Sequence, residues 1–226
     1  MDDSLLAPEL HQKALRGLRR INWASATANR LWHAMLPYVE PRQTISVLDI
    51  ACGGGDVLCG LAVRAHRQQF PFLGVGYDIS RTACDFARGA ANERLTGMPH
   101  IEVTFEKRDC LLEPLPCCFD VVYSSLFLHH LDEIDAERLL IRMKHVSRKL
   151  VLVDDLIRSS TGLVLAWLAT RLLSRSHVVH VDGPLSVRAA FTKAEVRAIA
   201  EQAGLISATI QTHWPWRFLL TWTHPQ

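Results

Sequence analysis

Between Ile45 and Asp155 the chain alternates short, nearly unbroken apolar runs with longer stretches of helical periodicity, and few folds accommodate that rhythm. "ISVLDI" reads as a strand, "DVLCGLAVRAHRQQ" as a helix, "FLGVGYD" as a strand, and "SRTACDFARGAANERL" as a helix whose Ser80 supplies an N-cap. Strands "IEVTFEKR" and "FDVVYSS", helix "DEIDAERLLIRMKHVS" and strand "KLVLVDD" continue the series. Strands that lack polar alternation are buried on both faces, so the pattern predicts a doubly wound α/β fold with a mostly parallel sheet and helices on either side. Ligands of such sheets lie beyond the carboxyl ends of the strands.

The flanks follow other patterns. From His11 to Tyr38 the periodicity is helical, with Leu15, Leu18, Trp32, Met35 and Leu36 on the apolar side, Lys13, Arg16, Arg19, Arg20 and Arg30 elsewhere, and Pro37 and Pro41 closing it. The basic residues read as a solvated face. "TGLVLAWLATRLL" falls short of the ~20 residues that span a bilayer and contains Arg171, which predicts a buried or lid helix. After it come an irregular His-rich stretch, "SRSHVVHVDGPLS", and a helix, "TKAEVRAIAEQAG", closed by Gly204. Two further runs, "ISATIQTH" and "RFLLTWT", read as an antiparallel pair at one sheet edge and bring the strands to seven. The predicted organisation is a single domain over 1–226. It comprises an N-terminal helical cap (1–42), a core (43–156), a cap insertion (157–191), and a C-terminal helix with edge strands (192–226).

Charge and cysteines narrow the function classes. A formal net charge of +2 supplies no field for binding nucleic acid or anionic lipid in bulk. The six cysteines contain no C-x-x-C pair, and the vicinal Cys117-Cys118 has no second pair at zinc spacing; they read as small buried hydrophobes in a reducing compartment. The opening "MDDSLLAPEL" lacks the pattern of a secretory signal, which points to the cytoplasm.

The first strand ends in "VLDIACGGGDVL". A phosphate-cradling loop would need Lys-Ser or Lys-Thr after the glycines, and none follows. A dinucleotide fingerprint starting at Gly53 would place its third glycine where Leu58 stands, which weakens that reading without removing it. Tyr38, Tyr77 and Tyr123 are followed four places on by Arg42, Arg81 and Phe127, so the Tyr-x-x-x-Lys of short dehydrogenases is missing.

The stretch resembles the first motif of class I S-adenosylmethionine-dependent methyltransferases, an acidic residue followed by G-x-G-x-G, here Asp49, Ile50, Ala51, Cys52, Gly53, Gly54, Gly55. Ala51 replaces the first glycine and would be strained if that position needs positive φ. The resemblance implies the Rossmann-like methyltransferase fold with a C-terminal antiparallel strand. It also implies S-adenosylmethionine as cofactor and S-adenosylhomocysteine as product. Asp49, Ala51, Cys52, Gly53 and Gly55 would surround the amino-acid end, with Asp49 buried and orienting loop amides. Asp78 would bind the ribose hydroxyls, Ile79 pack on adenine, Asp109 with Cys110 lie near the adenine amine, and Ser124 with Ser125 wall the methionine side.

Missing signatures narrow the acceptor. Base-methylating enzymes carry Asp/Asn-Pro-Pro-Tyr after the fourth strand, where Ser124-Ser125-Leu126-Phe127 stand. The paired glutamates of arginine methyltransferases are also absent, and Asp154-Asp155 reads as a turn or active-site wall rather than a metal site. "LVDDLIRS" and "DGPLSVRAAFTKAEV" resemble enzymes like those of ubiquinone and menaquinone biosynthesis, some of which accompany type III polyketide synthases. That implies methyl transfer to a small hydrophobic acceptor, the hydroxyl of a phenolic, quinol or polyketide-like compound, in secondary metabolism. His129 and His130, just past the fourth strand, are the candidate bases, with His177 and His180 second; Trp167, Arg158, His180 and Arg188 are candidate acceptor contacts. C-methylation of a similar ring, a nicotinamide oxidoreductase and a non-catalytic cofactor-binding subunit stay open. No nucleic-acid partner or metal is expected, and the reading leaves room for a homodimer and for peripheral membrane contact.

Overall fold

The computed structural model describes residues 15, 19, 20, 22, 25–40, 42–116, 118–173 and 177–225. Lys13, Arg16, Leu18, Pro41 and Cys117 lie outside the described residues, as does the side chain of His177. Seven strands form one sheet: β1 (Ile45–Ile50), β2 (Phe72–Asp78), β3 (Ile101–Lys107), β4 (Phe119–Ser125), β5 (Ser147–Leu156), β6 (Thr209–His213) and β7 (Arg217–Thr223), in the order β3-β2-β1-β4-β5-β7-β6. The first five strands run parallel, while β7 is antiparallel to both β5 and β6. The order reverses between β1 and β4, and this switch point opens the crevice where ligands of such sheets bind.

Seven α-helices accompany the sheet among the described residues: α1 (Thr27–Met35), α2 (Asp56–Arg67), α3 (Arg81–Leu95), α4 (Glu133–Val146), α5 (Ser160–Leu173), α6 (His177–Ala189) and α7 (Lys193–Gln202). Successive strand residues point to opposite faces, and two buried clusters divide accordingly. Val47, Val121 and Leu152 pack with Trp32 of α1, Leu58 and Leu61 of α2 and Ala87 of α3. On the other face Leu48, Val122 and Val151 pack with Leu139 and Leu140 of α4 and with Val196 and Ile199 of α7.

Local chemistry sets the element ends. The Ser80 hydroxyl accepts from the Ala83 amide, Asp132 caps α4 by accepting from Asp135, and Thr192 with Glu195 forms a capping box on α7. Gly204 follows α7 with φ +74°, the left-handed turn that ends many helices.

Two features depart from the sequence reading. The helical pattern of 11–38 breaks at a Ser25-Ala26 turn, where Ala26 has φ +53°. The stretch read as irregular is helix α6, which carries Gly183 and Pro184 internally; Gly183 lies so close to Thr170 of α5 that a Cβ there would meet its Cγ2 at 2.4 Å. In agreement with the sequence reading, the connection from β3 to β4 shows no helix among the described residues, and a cavity of about 480 Å³, lined by Leu73, Val75, Tyr77, Glu106 and Phe119, opens on that face of the sheet. No helix among the described residues is long and apolar enough to cross a membrane.

Candidate active site

The turn after β1 uses its small residues for different purposes. Ala51 has φ +59°, so alanine occupies a left-handed position that costs it about 1–2 kcal/mol. Gly53 and Gly55 also have positive φ, +52° and +68°. A Cβ on Gly55 would lie 2.6 Å from the ring of Phe105 on β3 and 2.9 Å from the Ala87 methyl of α3, so this glycine lets α2 start hard against the sheet. A Cβ on Gly54 would touch the Phe86 ring at 3.3 Å. Among the described residues a Cβ on Gly53 would have one neighbour within 4 Å, Leu15 Cδ2 at 3.9 Å. The bare backbone that leaves room for a ligand is therefore at Gly53, with Gly55 serving the packing.

Beneath the turn, Asp49 and Tyr123 stand side by side in the register of β1 and β4, and the phenol donates to Asp49 Oδ2 at 2.7 Å. Burial pushes the Asp49 carboxyl well above the ordinary carboxylate range, against the hydrogen bond from Tyr123, and burial likewise pushes the Tyr123 phenol up. The sequence reading had Asp49 orienting loop amides; its partner here is the phenol of the neighbouring strand.

The loop amides turn instead to Asp78 at the tip of β2. Its Oδ2 accepts from the Gly53 amide at 2.8 Å and its Oδ1 from the Ser80 amide at 2.8 Å, so one carboxylate fixes both the glycine turn and the entry to α3. Next to it Ile79 is 65% exposed, an apolar side chain bare at the mouth of the crevice. At the tip of β3, Asp109 Oδ1 accepts from the Leu111 and Leu112 amides at 2.9 and 3.1 Å, and Cys110 is buried, its thiol pushed up to about 12 by desolvation. Burial also pushes the Cys52 thiol up, and that of Cys84 beside Asp78 to about 11.

Past β4 and β5 lies a second group of polar residues. Ser124 is buried and donates to the Ile50 carbonyl at 3.0 Å, bracing β1. Ser125 pairs in register with Asp154, so the chain leaving β4 passes beside the end of β5. There it forms a short 3-10 turn, Leu128–His130. His129, 6% exposed, sets its Nδ1 2.6 Å from Asp155 Oδ1, and its amide donates to Asp155 Oδ2 at 3.4 Å. Burial alone would raise the Asp155 carboxyl, but the facing His129, the Leu156 amide and Arg217 hold it below the usual carboxylate range. Whenever the ring is neutral, the bond to the Asp155 carboxylate favours the tautomer with its proton on Nδ1, which leaves Nε2 as the acceptor. His130 lies beside it, ring centroids 4.2 Å apart.

Asp154 is engaged by Arg217 at 2.7 Å, with His213 Nε2 3.4 Å from its other oxygen. Buried Arg217 also donates to the Ser125 hydroxyl at 3.3 Å and to Ser25 and Thr27 ahead of and within α1, at 3.2 and 3.1 Å. Asp155 as partner of His129, Tyr123 as partner of Asp49, and Arg217 were not singled out by the sequence reading. The adjacency of β4 and β5 was the signal that could have joined Asp155 to the turn after β4.

The cap residues are dispersed. Arg158 is drawn to Glu195 of α7, Arg188 is exposed, and His180 on α6 is half-buried. Trp167 is 47% exposed with the Arg171 guanidinium stacked over it at 4.0 Å. Helix α6 packs on the turn that carries His129.

Residues 47–149 match the family model of a methyltransferase domain. No curated protein matches the chain in sequence. Among solved structures, magnesium protoporphyrin IX methyltransferase from Synechocystis with bound SAH superimposes with a TM-score of 0.63 at 19% identity, over 89% of this chain and 84% of that one. An O-methyltransferase family 2 protein from Planctomyces limnophilus in complex with apigenin gives 0.66 at 18% identity, over 98% of this chain and 63% of that longer one. The plantazolicin methyltransferase in complex with SAH gives 0.62 at 14% identity, over 96% and 85%. At these identities the likeness is one of fold. Residues 47–149 are thus similar to a methyltransferase domain, and the chain has the seven-stranded Rossmann-like fold that these methyltransferase structures share.

Proposed function

We propose that this protein transfers a methyl group from S-adenosylmethionine to the hydroxyl of a small hydrophobic acceptor of phenolic, quinol or polyketide-like chemistry. The observation that carries the choice of a hydroxyl is the buried pair of His129 and Asp155, 2.6 Å apart, on the turn that follows β4. A phenol has a pKa of ~10 and is mostly protonated at neutral pH, so a neutral imidazole with a free acceptor nitrogen suits its activation.

The residues at the strand tips fit the donor. Gly53 leaves its side of the turn open, Asp78 holds a carboxylate at the tip of β2 directly beside the glycine turn, where ribose hydroxyls would reach it, and exposed Ile79 offers an apolar surface to a flat base. Asp109 and Cys110, just past the end of β3, would lie toward the adenine. When bound, the donor supplies a methyl group on a sulfonium sulfur. The chain contributes alignment, with reacting atoms needing to approach within ~3–3.5 Å, and a proton acceptor at His129 Nε2 held in its tautomer by Asp155. Among the acceptor contacts, Trp167 and His180 remain candidates on α5 and α6, whereas Arg158 is committed to Glu195. The exposed Val164, Trp167, Leu168 and Leu172 of α5 support peripheral membrane contact, an origin suited to an apolar acceptor.

The test is calorimetric binding of S-adenosylmethionine and of NAD(H) to the wild type and to Asp78→Ala. The labelled donor is then incubated with host extract, and products are sought by mass. Binding of the donor alone, its loss in Asp78→Ala, and a methylated apolar phenol are expected. Binding of the dinucleotide instead, or an Asp78→Ala variant with unchanged donor affinity, overturns the reading.

A further inference from the structure

Away from the strand tips, four arginines from three parts of the chain surround a cavity of about 360 Å³. Arg19 and Arg20 come from the segment ahead of α1, Arg64 from α2 and Arg94 from the last turn of α3, with Asp56 and Asn22 also in the lining. One carboxylate against four guanidiniums leaves a formal excess of three positive charges, in a chain whose total is +2. The rest of the molecule, taken together, is therefore slightly acidic, so this lining is more basic than the chain around it.

The local bonding does little to neutralise it. Asp56 Oδ2 accepts from Asn22 Nδ2 at 3.1 Å, and the Asp56 main-chain carbonyl accepts from Arg94 at 3.5 Å. Arg64 donates to two neutral oxygens, the Gly60 carbonyl at 2.9 Å and the Asn29 amide at 3.5 Å. Desolvation and the neighbouring charges of Arg67 and Arg94 lower the Arg64 pKa, the mark of a cation short of counter-charge. Asn22 Oδ1 is buried with no hydrogen-bond partner among the described residues, an acceptor waiting for a donor. Gathering like charges around a cavity costs the fold energy that a bound anion recovers.

We propose that this cavity binds a phosphate-class anion, held by the guanidiniums of Arg19, Arg20, Arg64 and Arg94, with Asn22 Oδ1 accepting from a protonated ligand oxygen or an adjoining hydroxyl. Guanidinium forks match the tetrahedral oxygens of phosphate, and a singly protonated phosphate offers both the charge and the donor. The volume exceeds that of the bare ion and falls at the lower end of small-ligand pockets, so a small phosphoester fits as well as free phosphate. The lining contains none of the residues assigned to the donor, although Asp56 and Val57 follow directly on the glycine turn, and the proposal stands independently of the methyl-transfer reading.

The experiment is calorimetric titration at fixed ionic strength with inorganic phosphate and, in a second arm, with glycerol 3-phosphate. It compares the wild type, Arg64→Gln, Arg94→Gln and a control, Arg197→Gln, exposed on α7 at the opposite face of the sheet. Saturable binding is expected in the wild type, weakened tenfold or more in the first two variants and unchanged in the control. Tighter binding of the free ion assigns a phosphate site and tighter binding of the ester a phosphoester site, and either supports the proposal. In the unaltered protein, the better-bound of the two should slow phenylglyoxal modification of Arg64 and Arg94 relative to Arg197, read by peptide mass, so the answer does not depend on how the variants fold. Absence of saturable binding in both arms, equal loss in Arg197→Gln, or no selective protection overturns the proposal.

Discussion

Alanine at Gly55 and alanine at Gly53, two residues apart on the same turn, should fail in different ways. At Gly55 the new methyl meets a left-handed φ of +68° and a wall: the Phe105 ring at 2.6 and 2.7 Å and the Ala87 methyl at 2.9 Å. Left-handed strain contributes about 1–2 kcal/mol, and overpacking against a ring held between strand and helix about 1–3 kcal/mol more. The lower entropy of the unfolded alanine chain returns only about 0.4–1 kcal/mol. The net loss is roughly 2–4 kcal/mol, which for a chain of this size lowers Tm by about 4–16 °C. At Gly53 the φ of +52° brings similar strain, but the nearest described atom is 3.9 Å away, so the net loss should be near ~1 kcal/mol. What Gly53→Ala should lose is donor affinity, by tenfold or more, because the methyl enters the space assigned to S-adenosylmethionine. Chemical denaturation of both variants, with calorimetric titration of the donor, separates the two effects. If Gly55→Ala lies within ~1 kcal/mol of the wild type, or if Gly53→Ala binds donor as tightly as the wild type, the division of labour within the turn is wrong.

Replacing His129 by Gln should lower kcat by roughly 10²–10⁴, with the KM for donor little changed. A phenolic acceptor is ionised to about 0.1% at pH 7 and about 10% at pH 9. The variant should therefore gain about a hundredfold over that interval, and a deficit that ignores pH would count against a base at this position. Asp155 has a folded pKa below its unfolded value, so its contribution to stability is complete above the unfolded pKa of ~3.9 and fades as pH falls through the folded one. Asp155→Asn should accordingly be less stable than the wild type by about 1.5–3 kcal/mol at pH 7, with the gap in Tm closing at the acid end; a gap independent of pH contradicts the assignment. Trp167→Ala with Leu172→Ser should reduce co-sedimentation with lipid vesicles several-fold, and equal recovery in the pellet would argue against α5 as a membrane contact.

The sheet and most helices could be read directly because their signals are local. Continuous apolar runs such as "ISVLDI" and "KLVLVDD" state that both faces are covered, and Ser80 announces the start of α3 through its own hydroxyl. Helix α6 was hidden because Gly183 and Pro184 are breakers in isolation; close packing on Thr170 gives the small residue its place. The candidate site divides in the same way. Strand ends place Asp78, Asp109 and His129, so those residues could be named from position alone. Their partners could not, since the pairing of Asp49 with Tyr123 and of His129 with Asp155 depends on the register between strands far apart in sequence. Positive φ at Ala51 shows the same limit, for the turn is imposed by the strands and helix it joins rather than by the residue that occupies it.

Arg217 bears on the order in which the molecule is assembled. Its guanidinium fastens Ser25, 192 positions earlier, to the tips of β4 and β5. During synthesis the early segment can therefore be locked over the crevice only after almost the whole polypeptide has left the ribosome. Until then Asp154, which needs that guanidinium, keeps its carboxylate hydrated and the last parallel strand lacks its antiparallel neighbour.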